Sequence, residues 1–438
     1  MNEILKVKID DLDMNSKGIA HHCGKTIFVD NALIGEEIEC EILNQKNNLI
    51  IAKNKKILSV SPNRTTPLCP HYFVCGGCDT EHIKYEESLN FKKNQLKLTL
   101  KKITNLTLPD FEIEKSPEIY HYRNKIALKI CKLNGKKVLC YYKKNSHETV
   151  EIKTCKIANS GFDCVIEKFN DFLKATQVSA YNEKTKHGVL KHMVARIINN
   201  NLLLTIVLKQ NHKLDNLDKL YQDLSKSFDN VGINININNT DNQILSENFV
   251  DIVGTNFVEF FNFNLKLKIT NASFLQVNTP VANEIYDFCS NLLSGTTVNS
   301  YSGAGLLSAI IAKKSKKNKV FGIEINKNAT NIANILKHEN NIDNLENLCG
   351  DSAKVLSKLN LKDFNLILDP PKSGIDKNMI ETIKTFLPSK IIYISCNKIS
   401  LAKNLNELKD FYEIKQLKAF DMFPQTINLE TVCVLQKK

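Results

Sequence analysis

The chain has 438 residues, of which 42% are hydrophobic, and its formal net charge is +12. A chain of this length predicts two to four domains, and so large an apolar share excludes a disordered protein. The most apolar stretch, at residues 202–208, is far too short to span a bilayer, and the first residues lack the pattern of a signal peptide. We therefore expect a soluble, cytoplasmic protein without a membrane partner. Its surplus of lysine and arginine suggests a polyanionic partner such as nucleic acid.

The first 60 residues predict a small β-domain. Short strands are expected at 5–9, 25–29, 37–43 and 49–53, with turns between them and no helical period. A linker marked by Pro62 and Pro67 follows, so the first domain should cover residues 1–62. Its length and strand pattern favour a barrel of the oligonucleotide-binding type; the alternative is a β-domain that serves only for packing.

The 13 cysteines include one cluster. An odd number of cysteines without an export signal argues against a disulfide framework and favours metal ligands or catalysts. Cys69, Cys75 and Cys78 are spaced C-x5-C-x2-C, and two glycines between the last pair allow the backbone to wrap closely around a metal. The candidates for a fourth ligand are Cys155, His71 and His82. Four cysteines suit tetrahedral zinc or an iron–sulfur cluster, and the uneven spacing favours the cluster.

Residues 63–255 predict a central, mainly β-rich domain. Tyr85, Leu89, Leu96 and Leu100 recur at helical spacing and predict an amphipathic helix at 83–104, which we expect to pack on the last domain. Strands are expected at 125–131, 137–142, 194–198, 202–208 and 232–237, with one helix, at 162–176, among them.

Residues 256–438 change to an alternation of strands and helices. Five strands, each followed by a segment of helical length, are expected at 297–301, 320–325, 345–349, 365–369 and 391–395. Two further strands at 412–419 and 429–435 predict a hairpin. This order predicts an α/β fold, a doubly wound, Rossmann-like sheet with an antiparallel edge, which binds its ligands at the carboxyl ends of the strands.

Two of these strand ends suit a nucleoside cofactor. Gly303 and Gly305 follow Tyr301 and allow a ligand to approach the backbone, but Ser308 takes the place of the third glycine of the dinucleotide-binding pattern. Glu324 lies 21 residues beyond Gly303, a spacing typical of an acid that binds ribose hydroxyls. Because the third glycine is missing, S-adenosylmethionine fits this pattern better than NAD.

Three further residues suit catalysis. Asp369 precedes two prolines that stiffen the backbone, and Lys372 in place of an aromatic residue argues against methylation of adenine amino groups. Cys396 ends the fifth strand and is a candidate nucleophile. All 10 histidines precede residue 340, so no local Cys–His dyad is present and acyl transfer is disfavoured. Glu430, just inside the last strand, is a candidate base opposite Cys396.

Together these motifs resemble two known sequence families. Residues 1–60 resemble a TRAM domain, through Gly18-Ile19, Ile27-Phe28-Val29 and Leu33-Ile34-Gly35-Glu36. The rest of the chain resembles the RNA (uracil-5)-methyltransferase family. The motifs that carry this resemblance, in the order of that family, are Cys69, Cys75, Cys78 and Cys155, Ser273-Phe274-Leu275-Gln276-Val277-Asn278, the Tyr301 loop, Asp369-Pro370-Pro371, Ser395-Cys396-Asn397, and Phe423-Pro424 with Glu430.

The resemblance implies methylation of uracil C5 in RNA with S-adenosylmethionine as cofactor. It implies that Cys396 adds to uracil C6 and that Glu430 removes the C5 proton. It also implies a cofactor and base pocket and a structural [4Fe-4S] cluster that helps to grip RNA. The pocket residues would be Gln276, Tyr301, Gly303, Glu324 and Asp369, and the cluster ligands Cys69, Cys75, Cys78 and Cys155.

The RNA target and the role of the protein leave alternatives. The TRAM domain and the four cysteines look like the 23S ribosomal RNA branch of the family rather than the shorter tRNA branch, and we expect a monomer. One alternative is methylation of the T-loop uracil of tRNA. Another is a non-catalytic RNA-binding or ribosome-assembly protein, which the retention of both Cys396 and Glu430 disfavours.

Four positions depart from the pattern of the family. Asn299 replaces an acid before the glycine loop, and Glu81 replaces a glutamine after the cysteine cluster. Lys398 replaces a proline after Ser-Cys-Asn, and Asn428 replaces a histidine two residues before Glu430. These departures lie around the two catalytic candidates without replacing them, and they predict either weaker catalysis or a changed substrate.

Overall fold

The computed structural model describes residues 3–317 and 319–438, and the chain divides into two compact units. The first unit comprises Met1–Leu96, Tyr142–Val150 and Phe423–Asn428. The second comprises Lys97–Tyr141, Glu151–Met422 and Leu429–Lys438. None of the helices formed by the described residues has both the length and the apolar character that a membrane crossing requires.

The first unit contains a small β-barrel. Its strands are β1 (Ile4–Lys8), β2 (Asp11–Leu12), β3 (Gly18–His22), β4 (Lys25–Asp30), β5 (Glu37–Lys46) and β6 (Leu49–Ser59), in the order β1-β5-β6-β4-β3-β2. Because β1 and β2 follow each other in the chain but lie at opposite ends of this order, the sheet closes on itself. Alternate apolar residues of these strands, such as Ile27, Ile38 and Ile50, pack inside the barrel. The predicted barrel is confirmed, although the sequence pattern missed β2 and β3, which are short and half polar.

The helix predicted from Tyr85 onward is confirmed as α1 (Tyr85–Thr104). Glu86 and Glu87 lie in its first turn, and Lys101 and Lys102 in its last turn. These charges complement the helix dipole, which is positive at the amino end and negative at the carboxyl end.

The second unit contains an antiparallel-rich sheet in which the strands follow the order β9-β8-β11-β12-β13-β14. The elements in this part of the chain are β7 (Ile113–Glu114), β8 (Lys125–Leu133), β9 (Lys136–Tyr142), β10 (Thr149–Glu151), α2 (Gly161–Ala175), β11 (Leu190–Ile198), β12 (Asn201–Leu208), α3 (Leu217–Leu224), β13 (Asn230–Ile237) and β14 (Phe249–Gly254). The prediction of a single helix here was wrong, because α3 is present as well. Its eight residues are too few for the spacing of Leu217, Leu220 and Leu224 to be recognised as helical.

The carboxyl-terminal sheet of the second unit has the order β19-β18-β17-β20-β21-β23-β22-β7. Its first five strands are parallel, and β23 is antiparallel to both β21 and β22. The elements are β15 (Val258–Asn262), β16 (Leu265–Ile269), α4 (Thr279–Asn291), β17 (Thr297–Ser300), α5 (Leu306–Lys314), β18 (Val320–Glu324), α6 (Lys327–Glu339), β19 (Leu345–Cys349), α7 (Ser352–Leu359), β20 (Asn365–Leu368), α8 (Lys377–Phe386), β21 (Lys390–Ser395), α9 (Lys398–Leu408), β22 (Tyr412–Phe420) and β23 (Glu430–Lys437).

The predicted doubly wound α/β sheet with a terminal hairpin is therefore confirmed, with one correction at its edge. The hairpin does not form the edge, because the short strand β7 pairs in parallel with β22 beyond it. The last strand of the chain, β23, enters the sheet next to β21. This insertion brings the start of β23 beside the carboxyl end of β21. Below, the site edge of the sheet means the side at which the parallel strands have their carboxyl ends.

Candidate active site

Most of the predicted site residues follow the carboxyl ends of parallel strands. Ser300, the last residue of β17, pairs with Ile323 of β18 and with Leu368 of β20. The residues that come directly after these three in the chain are all predicted site residues: Tyr301, Glu324 and Asp369. The sheet therefore places all three at one edge, where ligands bind in open α/β sheets.

Cys396 and Glu430 lie at the same edge. Ser395 of β21 pairs with Thr431 of β23 in antiparallel register. One residue further in this register, Cys396 faces Glu430 across the two strands. Glu430 is 4% exposed, whereas Cys396 is half-buried.

The thiol and the two carboxyl groups at this site all have raised pKa values. Burial, followed by the charges of Glu430 and Asp369, raises the pKa of Cys396 to about 11. Burial raises the pKa of Asp369 to about 7, and burial together with Asp369 raises the pKa of Glu430 well above its usual range. The pKa of the Tyr286 phenol on α4 is also raised, by burial and then by both carboxylates. These groups form one cluster in which charge is costly, and such clusters are typical of catalytic sites.

The loop after β17 has the backbone freedom that the sequence predicted. Tyr301, Gly303 and Gly305 all have positive φ, at +63°, +56° and +79°. The Gly303 N–H donates to Oε2 of Glu324 at 2.9 Å, and the Asn326 N–H donates to Oε1 of the same carboxylate at 2.8 Å. The glycine loop and the strand-end acid are thus joined directly.

The space beside this loop suits a nucleoside. A Cβ atom at Gly303 would meet no heavy atom within 4 Å, so the backbone there is open. Ile325, the residue after Glu324, is 69% exposed and adds an apolar surface next to the acid. The nucleoside part of S-adenosylmethionine fits these three groups. The carboxylate could bind ribose hydroxyls, the open glycine backbone leaves room, and the apolar side chain could pack on the base. The sequence analysis missed Ile325, whose only signal was its position after the acid.

Gln276 lies in the loop between β16 and α4, and the residues before β8 fix its backbone. Asn124 donates its backbone N–H to the Val277 carbonyl at 2.8 Å. Its side-chain Nδ2 donates to the Gln276 carbonyl at 2.9 Å and to Oγ1 of Thr279 at 3.2 Å. Asn124 is a second residue that the sequence analysis missed.

The loop after Asp369 is fastened beside Cys396. Nδ2 of Asn397 donates to the Lys372 carbonyl at 3.0 Å. The positive charge of Lys372 lowers the pKa of the Cys396 thiol, although this effect is smaller than those that raise it. Lys372 therefore belongs to the surroundings of the thiol.

Each of the four departures from the family pattern has a defined position in the structure. Asn299 is 2% exposed and donates to Oγ of Ser308 at 2.9 Å. Lys398 is the first residue of α9, and Nδ2 of Asn428 donates to Oγ1 of Thr426 at 3.4 Å. In the first unit, Glu81 accepts from the backbone N–H of Cys69 at 2.8 Å.

The predicted metal ligands are divided between the two units. Cys69, Cys75 and Cys78 belong to the first unit and Cys155 to the second, and all four are half-buried. In the described ranges, 3–317 and 319–438, no group of three or more His, Cys, Asp or Glu side chains has the geometry of a metal site. Nδ1 of His82, one of the other candidates, instead contacts the Tyr72 hydroxyl at 2.6 Å, and burial lowers the pKa of His82 to about 3.

Comparison with known proteins identifies the family. The model of the tRNA (uracil-5-)-methyltransferase family matches residues 84–438, which is most of the chain. The chain belongs to this family. A TRAM domain model matches residues 2–53. The predicted family, its α/β methyltransferase fold and the predicted TRAM domain are therefore confirmed, and the protein is an RNA methyltransferase.

Relatives of this family member extend over its whole length. A protein of Listeria innocua named as an RNA methyltransferase is 32% identical over 100% of this chain and 98% of its own length. One from Clostridium tetani is 30% identical over 99% of this chain and 96% of its own length. The crystal structure of the Pyrococcus abyssi tRNA (uracil-54, C5)-methyltransferase in complex with S-adenosyl-L-homocysteine is similar over 98% of this chain and 99% of that chain. Its TM-score is 0.80 and its sequence identity 26%.

Proposed function

We propose that this protein methylates C5 of a uracil in RNA, with Cys396 as the nucleophile, Glu430 as the base and S-adenosylmethionine as the cofactor. The observation that carries the proposal is the register of β21 and β23. In this register Ser395, which precedes Cys396, pairs with Thr431, which follows Glu430, and this pairing supports a joint role of the thiol and the carboxyl group.

The residues of the site edge fit the proposed cofactor. Glu324 would bind the ribose hydroxyls, the open backbone at Gly303 would leave room for the ligand, and Ile325 would pack on the adenine. Gln276, Tyr301 and Asp369 would line the remaining cofactor and base pocket. When bound, S-adenosylmethionine would supply the methyl group that the activated uracil C5 accepts.

The chemistry assigns separate steps to the two catalytic residues. The Cys396 thiol gives its proton to solvent, and the thiolate adds to uracil C6. The electrons of the C5–C6 double bond then move to the C4 carbonyl and form an enolate that makes C5 nucleophilic. After methylation, Glu430 removes the proton from C5, the double bond re-forms and the C6–S bond breaks. A carboxyl group with a raised pKa is a stronger base, which suits this step. Because the ring must be reached from outside the base stack, the uracil should be flipped out or lie in a loop.

We propose 23S ribosomal RNA as the target. The support is the combination of a TRAM domain with four cysteines in the sequence. Transfer RNA is the second candidate, and a specific observation favours it. The Pyrococcus abyssi enzyme, a tRNA (uracil-54, C5)-methyltransferase, is similar over nearly the full length of this chain. The length of this chain, which includes the TRAM domain, therefore does not distinguish a ribosomal RNA target from a tRNA target.

We propose that four cysteines bind a [4Fe-4S] cluster: Cys69, Cys75, Cys78 and Cys155. The proposal is supported by their spacing in the sequence and by the two glycines at Gly76 and Gly77. We assign the cluster no step in the reaction.

The enzymatic proposal is tested by methyl transfer from radiolabelled S-adenosylmethionine to unmodified 23S ribosomal RNA and to tRNA transcripts. The wild-type protein should label one of the two RNAs at a uracil, and Cys396→Ala should lose labelling while it retains RNA affinity. Cys164→Ala is the matched control, because Cys164 on α2 is, like Cys396, a half-buried cysteine of the second unit. Labelling by Cys396→Ala would exclude this nucleophile, and no labelling by the wild type would favour the non-catalytic alternative.

The cluster is tested by iron and sulfide analysis of anaerobically purified protein. We expect about four irons and four sulfides per chain, as a [4Fe-4S] centre requires. Cys75→Ala should lose them, whereas Cys23→Ala, which changes an exposed cysteine of the first unit, should retain them. A colourless protein that contains zinc would contradict the assignment.

A further inference from the structure

Two cations of the second unit lie against the loop that carries Gln276. Arg196 on β11 is 1% exposed, and it pairs in register with Lys125 of β8, which is half-buried. Within the described part of the chain, neither forms an ion pair with a carboxylate. Two adjacent positive charges, one buried and one half-buried, thus lack a carboxylate partner among the described residues.

Both cations contact the backbone of the same loop. Nη2 of Arg196 donates to the Ser273 carbonyl at 2.9 Å, and Nζ of Lys125 donates to the Asn271 carbonyl at 3.1 Å. Asn124 holds the Gln276 carbonyl of this loop at 2.9 Å. Arg196, Lys125 and Asn124, the residue just before β8, therefore fix the carbonyls of three residues between 271 and 276.

This arrangement is costly. Burial lowers the pKa of Arg196 to about 10. Burial, followed by the charges of Arg196 and Arg123, lowers the pKa of Lys125 to about 8. Nε and Nη1 of Arg196 are also buried and have no hydrogen-bond partner among the residues that the structure describes. Apolar residues would fill the same volume without this cost, but they could not fix the direction of a carbonyl group as a charged donor does.

We propose that Arg196 and Lys125 are positioning residues that hold the loop at 271–276, so that Gln276 is presented to the cofactor. The inference rests on the proposed function, in which Gln276 belongs to the cofactor pocket. It assigns the two cations to cofactor affinity rather than to RNA binding, because their hydrogen bonds end on this loop.

The test measures the affinity of the full-length protein for S-adenosylhomocysteine by calorimetry and for RNA by filter binding. Lys125→Met and Arg196→Met should weaken S-adenosylhomocysteine binding about tenfold, the loss of roughly one charge-assisted hydrogen bond, with RNA affinity within about twofold of wild type. The matched control is Lys137→Met. Nζ of Lys137 likewise donates to a loop carbonyl, that of Val178 at 3.0 Å, but in the loop between α2 and β11. This variant should bind S-adenosylhomocysteine as the wild type does.

Kinetics separate positioning from a general structural role. Lys125→Met should raise KM for S-adenosylmethionine with little change in kcat or in KM for RNA, and Lys125→Arg should restore the wild-type KM. If Arg196→Met does not fold, Arg196→Lys keeps the charge without the planar fork and should bind S-adenosylhomocysteine more weakly than the wild type.

The possible failures are distinguishable. If the wild type binds S-adenosylhomocysteine and the folded Lys125 and Arg196 variants bind it equally well, the positioning role is wrong. It is also wrong if these variants and Lys137→Met all lose affinity for both ligands to a similar extent. If the wild type itself does not bind S-adenosylhomocysteine, the proposed function fails.

Discussion

At the scale of single residues, the protonation of Cys396 controls its reactivity. A thiol with a pKa of about 11 is ionised in only about one molecule in ten thousand at neutral pH. The charges of Glu430 and Asp369 contribute to this high pKa, because a second negative charge nearby is unfavourable. The carboxyl group that serves as the base in the proposed reaction therefore also restrains the nucleophile.

We expect Glu430→Gln to lower the pKa of Cys396, because the substitution removes a negative neighbour but keeps the shape of the side chain. The rate of Cys396 alkylation by iodoacetamide should rise with pH in both proteins, and the curve of the variant should be displaced to lower pH. At a pH below both pKa values, each unit of displacement gives about a tenfold faster reaction. Mass spectrometry of the Cys396 peptide between about pH 7 and pH 10 measures the rates.

Glu413→Gln provides the control for this experiment, because Glu413 is an exposed residue of the neighbouring strand β22. Its alkylation curve should coincide with that of the wild type. If Glu430→Gln also coincides with the wild type, the charge of Glu430 does not act on the thiol.

The sequence could predict some of these residues and not others. Cys396 follows β21 and Glu430 begins β23, and the apolar runs of both strands are visible in the sequence, so the position of both residues at the strand ends could be predicted. The contact of Arg196 with the Ser273 carbonyl could not, because it joins residues 77 positions apart. This contact depends on how β11 packs against the loop between β16 and α4. A local sequence pattern does not predict such packing.

At the scale of elements, the loop between β17 and α5 combines two glycines with different surroundings. Both have positive φ, which disfavours any other residue. A Cβ at Gly305 would lie 2.7 Å from the Cβ of Ala333 on α6, whereas a Cβ at Gly303 would enter open space. Gly305 is thus needed for packing between the loop and a helix, and Gly303 leaves room for a ligand.

The two alanine variants should therefore separate stability from cofactor affinity. Gly305→Ala should lower the free energy of unfolding by more than the roughly 1–2 kcal/mol that the backbone conformation alone costs. Gly303→Ala should lose only about that backbone cost, but its methyl group should weaken S-adenosylhomocysteine binding. Denaturant unfolding and calorimetry measure the two quantities. Equal stability losses in the two variants, with unchanged affinity in Gly303→Ala, would contradict this division.

The elements also show which patterns the sequence makes visible. The parallel strands β18 and β21 are mainly apolar runs buried on both faces, so their positions could be predicted within one residue. The strand β14 could not, because most of its residues are exposed and no apolar face results. The two-residue strand β7 exists only through its pairing with β22, so its position follows from the tertiary structure alone.

At the scale of the whole molecule, the net charge of +12 should make RNA binding strongly dependent on salt. Lysine and arginine side chains that neutralise phosphates release bound counterions, and this release is less favourable at high salt. We expect the affinity for the labelled RNA to fall at least tenfold between about 50 and 200 mM monovalent salt, as contacts to a few phosphates require. Binding of S-adenosylhomocysteine, which involves no polyanion, should change much less over this range and provides the control within the same protein.

The same titration with 23S ribosomal RNA and tRNA transcripts distinguishes target from competitor. Both should show a salt-dependent component, but the target should keep the higher affinity at high salt, where contacts to an unstacked uracil remain. An affinity that does not respond to salt would contradict an electrostatic role for the charge surplus.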